Sequence, residues 1–249
     1  MNEKIRDMTI DSRIARELAP SGTIRVAINF GNPVLAQRDA ASGEPRGVSV
    51  AIVRELARRT ELGLTLVPFD AAGKVFAALA QRAWDVAFLA VDPERATQID
   101  FTRPYVIIEG SYMVRIDSPL QAIDDFDRPG TRIAVGEGSA YDLYLTRTLK
   151  EAQLVRAPTG HEAIALFSRD GLEAVGGVKS PLQRHAAEHP DLRVIDGSFM
   201  AIEQAMAVPK GNREALSYLE QMLRELKQSG FVLRALEETG HADARVAPV

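Results

Sequence analysis

The chain has 249 residues and a formal net charge of −4, with 46% hydrophobic and 26% charged residues. This composition is typical of a globular protein with a large core, and the length suits two α/β lobes or one large domain. The absence of cysteine excludes disulfides, thiolate metal sites and a cysteine nucleophile. The acidic balance gives no support for nucleic-acid binding, and nothing in the composition predicts a cofactor.

The N-terminal segment, residues 1–20, carries charges at short intervals and contains no long apolar stretch. It predicts a short, loosely packed lead-in rather than a secretory leader, which needs an uninterrupted apolar core. No apolar run reaches the roughly 20 residues that span a membrane, so direct membrane insertion is not expected.

Strands and helices then alternate along the first half of the chain. The last predicted strand of this half is almost wholly apolar, as in a parallel sheet covered on both faces. The β-α-β alternation predicts right-handed crossovers and a doubly wound sheet. The predicted elements are a strand at 23–28, a turn or hairpin at 39–47, a helix at 50–60, a strand at 64–69, a helix at 74–82 and a strand at 85–91.

The alternation begins again after residue 110 and predicts a second β-α-β module. The final long helix has a continuous apolar stripe and ends at a serine and a glycine. The predicted elements are an extended run at 106–114, a strand at 131–135, a glycine turn at 136–139, a helix at 139–151, an extended segment at 154–156, a helix at 161–169, strands at 173–177 and 204–208, and helices at 212–228 and 231–238.

The first candidate site follows the apolar strand 85–91. In open parallel sheets ligands bind at the carboxyl ends of strands, where Ala90 and Asp92 stand. Asp92 is a good N-cap and Pro93 a good first helical residue. Arg95 could then reach back over the strand end and hold a carboxylate through two parallel hydrogen bonds. Alternatively, Arg95 pairs with Asp92 or Asp100 on the surface.

The second candidate site is the glycine turn that precedes the helix predicted at 139–151. The free backbone N–H groups of Gly138, Ser139 and Ala140 would form an anion site there. Ser139 is also a good N-cap, and both roles can hold together. The turn is not a dinucleotide fingerprint, because Tyr141 stands where the third glycine should be.

Two further segments are placed to contact a ligand. Asn29, Phe30 and Asn32 follow the first strand and offer amides and an aromatic wall; the alternative is an Asx turn with a packed ring. Lys179 follows two glycines that end the strand 173–177 and could face an anion. A lysine that points to solvent on a turn is the alternative.

Catalytic motifs are absent from the sequence, including nucleophile-elbow, zinc-protease and P-loop patterns. The 4 histidines are expected on surface helices or in the C-terminal tail. Glu173 and Glu137 are the only carboxylates that could serve as a general acid in a cleft.

Several segments together carry a family resemblance. They are Gly47-Val48-Ser49-Val50-Ala51-Ile52-Val53, Trp84-Asp85-Val86, Pro93-Glu94-Arg95 and Asp100-Phe101-Thr102-Arg103-Pro104-Tyr105. In order and spacing, from residue 24 to residue 248, the chain resembles the family 3 extracellular solute-binding proteins, which are amino-acid receptors of bacterial ABC importers.

The resemblance implies the type II periplasmic binding protein fold, with two doubly wound lobes joined by two crossover strands near 107–113 and 199–207. Lobe 1 would comprise residues 21–110 and 205–249, and lobe 2 residues 111–204, closing by hinge motion. It also implies an ABC permease as partner and a periplasmic location, although a chain without a leader could equally be cytoplasmic.

The resemblance further assigns roles to single residues. Arg95 would grip the ligand carboxylate, while Gly138, Ser139 and Ala140 donate N–H groups from the other lobe. Asn29 and Asn32 would contact the ligand side chain.

One departure from the family concerns the acidic residue that usually receives the ligand's ammonium. It is not evident, and Lys179 stands in its neighbourhood. The resemblance implies a small carboxylate-bearing ligand, an amino acid or a related organic acid. Lys179 predicts a carboxylate other than an ordinary α-amino acid, with or without a second acidic group. The alternatives are a cyclohexadienyl dehydratase-like enzyme on the same fold, using Glu173 or Glu137, and a cytosolic ligand sensor.

Overall fold

The computed structural model describes residues 10–249, and the first nine residues of the predicted lead-in lie outside it. The described chain forms two α/β lobes built on one continuous curled sheet of 11 strands, beside a separate two-stranded hairpin.

The strands are β1 (Thr23–Asn29), β2 (Gln37–Arg38), β3 (Pro45–Arg46), β4 (Gly63–Phe69), β5 (Val86–Ala90), β6 (Ile99–Phe101), β7 (Val106–Arg115), β8 (Arg132–Gly136), β9 (Gln153–Ala157), β10 (Ala174–Val178), β11 (Leu192–Val194), β12 (Met200–Pro209) and β13 (Arg245–Val246). The α-helices are α1 (Ser12–Leu18), α2 (Val48–Thr60), α3 (Ala72–Ala77), α4 (Ala140–Thr148), α5 (Gly160–Arg169), α6 (Lys179–Glu188), α7 (Arg213–Gln228) and α8 (Phe231–Glu237).

The first lobe is built on parallel strands in the order β4-β1-β5. All five residues of β5 are buried, as its continuous apolar run predicts for a strand covered on both faces. The second lobe repeats the arrangement, with β8 parallel to both β9 and β10. The predicted fold class is therefore confirmed.

Two long antiparallel strands, β7 and β12, join the lobes. They pair with each other from Gly110 opposite Met200 to Val106 opposite Gln204. Beyond that stretch β7 pairs with β10 in the second lobe, and β12 pairs with β5 and β6 in the first. The expected crossover 107–113 falls within β7, and the expected crossover 199–207 begins one residue before β12.

Helices α3, α4 and α6 differ from the sequence-based expectation. The helix expected at 74–82 begins at Ala72 and tightens into a 3-10 turn at Ala78–Gln81. The helix expected to reach residue 151 ends at Thr148. The helix α6 was not predicted: its glycine-rich approach and Pro181 resemble a turn, yet proline is tolerated in the first turn of a helix. In the described part of the chain, no helix combines the length and the apolar character needed to cross a membrane.

The described part of the lead-in is a docked helix, which corrects the expectation of loose packing. Asp11 caps α1 by accepting a hydrogen bond from the Arg13 amide at 2.8 Å, and Leu18 is fully buried. The Glu17 carboxylate accepts a bond from the amide of Ala215 at 2.9 Å, in the first turn of α7. The helix therefore belongs to the first lobe's core.

Replacing Leu18 with alanine should lower the free energy of unfolding by about 3 kcal/mol, because the substitution leaves a cavity in this core. Urea denaturation measures the change, with exposed Arg16→Ala on the same helix as the control. If the two variants unfold at the same urea concentration, α1 is not docked as described.

Candidate ligand-binding cleft

A cavity of about 280 Å³ lies between the lobes, near the lower end of the size range of small-molecule sites. Four parallel strands end at it, with Asn29, Ala90, Gly136 and Val178 as the last residues of β1, β5, β8 and β10. The carboxyl ends of strands from both lobes thus face one gap, as open α/β sheets predict.

Arg95 is held over the end of β5 by the turn that precedes it. The Asp92 carboxylate accepts hydrogen bonds from the amides of Glu94 at 2.9 Å and Arg95 at 3.4 Å. The Arg95 side chain then folds back, and its Nη1 donates to the Ala90 carbonyl at 3.0 Å. Its Nη2 donates to the Gly138 carbonyl of the second lobe at 2.7 Å.

The positive charge of Arg95 is buried without a carboxylate partner. The residue is 1% exposed, and it takes part in none of the ion pairs formed within residues 10–249. Its Nε finds no hydrogen-bond partner among the described residues. Burial lowers the pKa of Arg95 to about 10, against the opposing charge of Asp92. The guanidinium is therefore still a cation at neutral pH.

Some backbone N–H groups of the glycine turn in the second lobe donate to acceptors in the turn itself and in the first turn of α4. The Gly138 amide donates to the Asp142 carboxylate at 2.9 Å, and the Ser139 amide donates to the Gly136 carbonyl at 3.2 Å. Ser139 caps α4 by accepting a bond from the Asp142 amide at 3.1 Å. Among residues 10–249 the amides of Ala140 and Tyr141 have no hydrogen-bond partner, and both residues line the cavity.

The lobes touch beside the cavity. The carboxylate of Asp92 pairs with Arg147 of α4 at 2.8 Å, and Asp92 is 3% exposed. Gly73 of α3 lies so close to the second lobe that a Cβ placed on it would be 2.7 Å from the Glu137 carbonyl oxygen and 3.1 Å from the Gly138 Cα. Only a residue without a side chain fits this backbone contact. The sequence did not suggest Arg147 or Gly73.

Seven predicted ligand contacts lie together along the cavity: Asn29, Asn32, Ala90, Arg95, Ser139, Ala140 and Tyr141. The other four do not line it and have protein partners instead. The Phe30 ring packs beneath the Arg38 guanidinium at 4.5 Å. The Asp92 carboxylate accepts a hydrogen bond from the Glu94 amide and pairs with Arg147. Gly138 donates its amide to Asp142 and accepts from Arg95 through its carbonyl.

Lys179, the fourth of these residues, begins helix α6 rather than standing on a turn. Its Nζ lies 3.1 Å from the Glu109 carboxylate of strand β7. Glu109 thus neutralises the charge on which the expectation of a second acidic group on the ligand depended.

Histidines and an amide that sequence reasoning missed also line the cavity. His161 follows the first residue of α5, and His185 lies on α6. Gln204 is 6% exposed and lies in the hinge strand β12. His241, expected in the C-terminal tail, is buried, and its Nε2 lies 2.6 Å from the Gln37 amide nitrogen.

The two candidate acid residues lie in different places. Glu173 precedes β10 at the end away from the cleft and pairs with Arg132 at 2.8 Å, which corrects the expectation that it might face the cleft. Glu137 lines the cavity and is exposed. Within residues 10–249 no cluster of three or more histidine, aspartate or glutamate side chains is placed to hold a metal ion.

Comparison with known proteins shows sequence similarity over nearly the whole chain. The sequence profile of the family described as bacterial extracellular solute-binding proteins, family 3, matches residues 24–238. L-cystine-binding protein TcyJ of Escherichia coli is 24% identical over 242 residues, covering 92% of this chain and 86% of that protein. Cyclohexadienyl dehydratase of Pseudomonas aeruginosa is 25% identical over 240 residues, covering 91% and 85%.

Similarity in structure extends over the same region. The crystal structure of a cysteine-binding protein from Campylobacter jejuni superimposes with a TM-score of 0.79 at 21% identity, covering 94% of both chains. At this identity the likeness concerns the fold, which is that of type II periplasmic binding proteins.

Replacing Gly73 with alanine should separate the lobes, because the added methyl group meets the backbone of the glycine turn. The substitution should not destabilise helix α3, since alanine stabilises a helix by about 1 kcal/mol relative to glycine. Small-angle X-ray scattering should therefore show a larger radius of gyration with no loss of thermal stability. Ala77→Ser, at an exposed position of the same helix, is the control. A scattering curve identical to that of the unsubstituted protein would contradict the proposed contact.

Proposed function

Because the chain belongs to the bacterial extracellular solute-binding proteins, family 3, we propose that it is a receptor that binds a small carboxylate-bearing solute between its lobes. The solute is held and released without chemical change. The observation that carries this proposal is the buried guanidinium of Arg95, which has no carboxylate partner within the described chain.

A buried, unpaired cation costs several kcal/mol in a folded protein. A ligand carboxylate would supply the missing negative charge and accept hydrogen bonds from the free Nε and the remaining Nη hydrogens of Arg95. Charge-assisted pairs of this kind are about twice as strong as neutral hydrogen bonds.

The second lobe would complete the grip on the same ligand. The amides of Ala140 and Tyr141 stand at the N-terminus of α4, where backbone donors and the helix dipole favour an anion. A solute bound to Arg95 and to these amides would link the lobes. Binding would therefore favour the closed arrangement through contacts that the open one lacks.

The wider role that we propose is delivery of the solute to an ABC permease on the outer side of a bacterial membrane. The family description, extracellular solute-binding proteins, supports this location. The TcyJ relative supports a receptor of this kind, because it is named for the amino acid that it binds.

A dehydratase-like enzyme is the second candidate function, and similarity to cyclohexadienyl dehydratase favours it. Glu137 is the carboxylate at the cavity that could act as general acid. A general acid works best when burial tunes its pKa, whereas the Glu137 side chain is exposed. We expect the purified chain not to consume a cyclohexadienyl acid. Turnover that Glu137→Gln abolishes would overturn the receptor proposal.

Replacing Arg95 with methionine should weaken carboxylate binding at least about tenfold, or 1.4 kcal/mol, because the ligand loses its charge partner. Calorimetry with a panel of amino acids and their matching 2-oxo acids measures the loss. Arg224→Met, at an exposed position on α7, is the control. Thermal melting establishes that both variants are folded. Unchanged affinity in a folded Arg95→Met variant would remove Arg95 from the site.

A further inference from the structure

The charged side chains around the cavity are unevenly buried. The cation Arg95 is buried. Two carboxylates of the described residues also line the cavity, those of Asp70 and Glu137. The Asp70 side chain is 62% exposed and pairs with Lys74 at 2.8 Å, and Glu137 is also exposed. An ammonium group drawn into the closed cleft would lose its hydration beside a guanidinium, with no buried carboxylate on the cavity wall to receive it.

Several buried or partly buried polar groups of the cavity are left as donors. The Asn29 side-chain oxygen accepts a bond from the Gly31 amide at 2.9 Å, and the Asn32 oxygen accepts from the Val34 amide at 3.3 Å. Both side chains are thereby left with free Nδ2 donors. Together with Arg95 and the α4 amides, they suit a ligand that is rich in acceptors, such as a carboxylate with a neighbouring oxo or hydroxyl oxygen.

Much of the remaining wall is apolar. Gly176 and Gly177 of β10 contribute backbone to it. The apolar side chains around the cavity include Phe88, Ile164, Val178, Pro181, Leu182 and Ile202. Burial of apolar ligand surface against them contributes about 25 cal/mol per Å². This wall suits a hydrocarbon body.

Within residues 10–249, Arg95 is the one lysine or arginine that lines the cavity, and the histidines there are His185 and the exposed His161. The Lys179 ammonium forms an ion pair with the Glu109 carboxylate. Burial and the neighbouring His189 lower the pKa of His185, so its imidazole is neutral at pH 7. The cleft therefore offers one buried positive charge to its ligand.

From this distribution of charge and donors we infer that the preferred solute is a monocarboxylate with an apolar body and no ammonium group, such as a 2-oxo or 2-hydroxy acid. The inference rests on the proposed function of the cleft and narrows its ligand class.

Matched ligands that differ in one group test the inference. Calorimetry on the purified chain compares leucine with 4-methyl-2-oxopentanoate, and phenylalanine with phenylpyruvate; 2-oxoglutarate represents the dicarboxylates. At least one oxo acid should bind at least tenfold more tightly than its amino acid and at least tenfold more tightly than 2-oxoglutarate. An amino acid that binds as tightly as its oxo acid, or tighter binding of 2-oxoglutarate, overturns the inference.

A charge introduced into the wall gives an independent test. Gln204→Glu is nearly isosteric and places a carboxylate at a buried position of the cavity. It should reduce the preference for the oxo acid over the amino acid at least tenfold, while Gln221→Glu, on α7 and outside the cavity, should not change it. Thermal melting verifies the fold, and an unchanged preference in a folded Gln204→Glu variant contradicts the electrostatic basis of the inference.

The outcomes separate this inference from the proposed function. Tight binding of an amino acid that Arg95→Met abolishes would overturn the ligand class and leave the receptor in place. Absence of binding for every carboxylate in the panel, or binding that Arg95→Met does not change, would overturn both.

Discussion

The cleft depends on one guanidinium, that of Arg95, which is buried and forms no ion pair within residues 10–249. The fold keeps the charge of Arg95 tolerable by giving it two carbonyl partners, Ala90 and Gly138, one from each lobe. Carbonyl oxygens satisfy hydrogen bonds but supply no negative charge, so part of the desolvation cost remains. A site in this condition favours an anion before any shape complementarity is considered. The stability lost here is offset by the wholly apolar strand β5 and the cores on either side of it.

Ligand recognition and lobe contact share the same few residues. Asp92 orients Arg95 through its cap and, with its other oxygen, holds Arg147 of the second lobe. Gly138 accepts from Arg95 and also meets Gly73 across the gap. A carboxylate bound to Arg95, as proposed, would therefore act directly on the contact between the lobes. This is the kind of coupling that hinge closure around a ligand requires.

The sequence predicted those features whose causes are local. They are the wholly apolar strand, the Asp-Pro cap that turns Arg95 back, and the glycine turn before α4. Each depends on a few consecutive residues. The Gly138 amide is engaged rather than free, because the Asp142 carboxylate in the first turn of α4 accepts a hydrogen bond from it. Features that depend on distant pairing could not be predicted. The partner of Lys179 is 70 residues away and the partner of Asp92 is 55 residues away. Only the folded hinge strand brings Gln204 to the cavity.

The positions of the carboxylates bear on whether the cleft catalyses a reaction and on which ligand it binds. General-acid catalysis is favoured by a carboxylate shielded from water, and recognition of an amino acid is favoured by a buried carboxylate beside the guanidinium. In this chain Glu173 is paired with Arg132 at the far end of its strand. Glu109 is paired with Lys179, and the carboxylates of Asp70 and Glu137 are exposed. This distribution of carboxylates supports the proposed binding of a lone carboxylate over acid catalysis or recognition of an ammonium group.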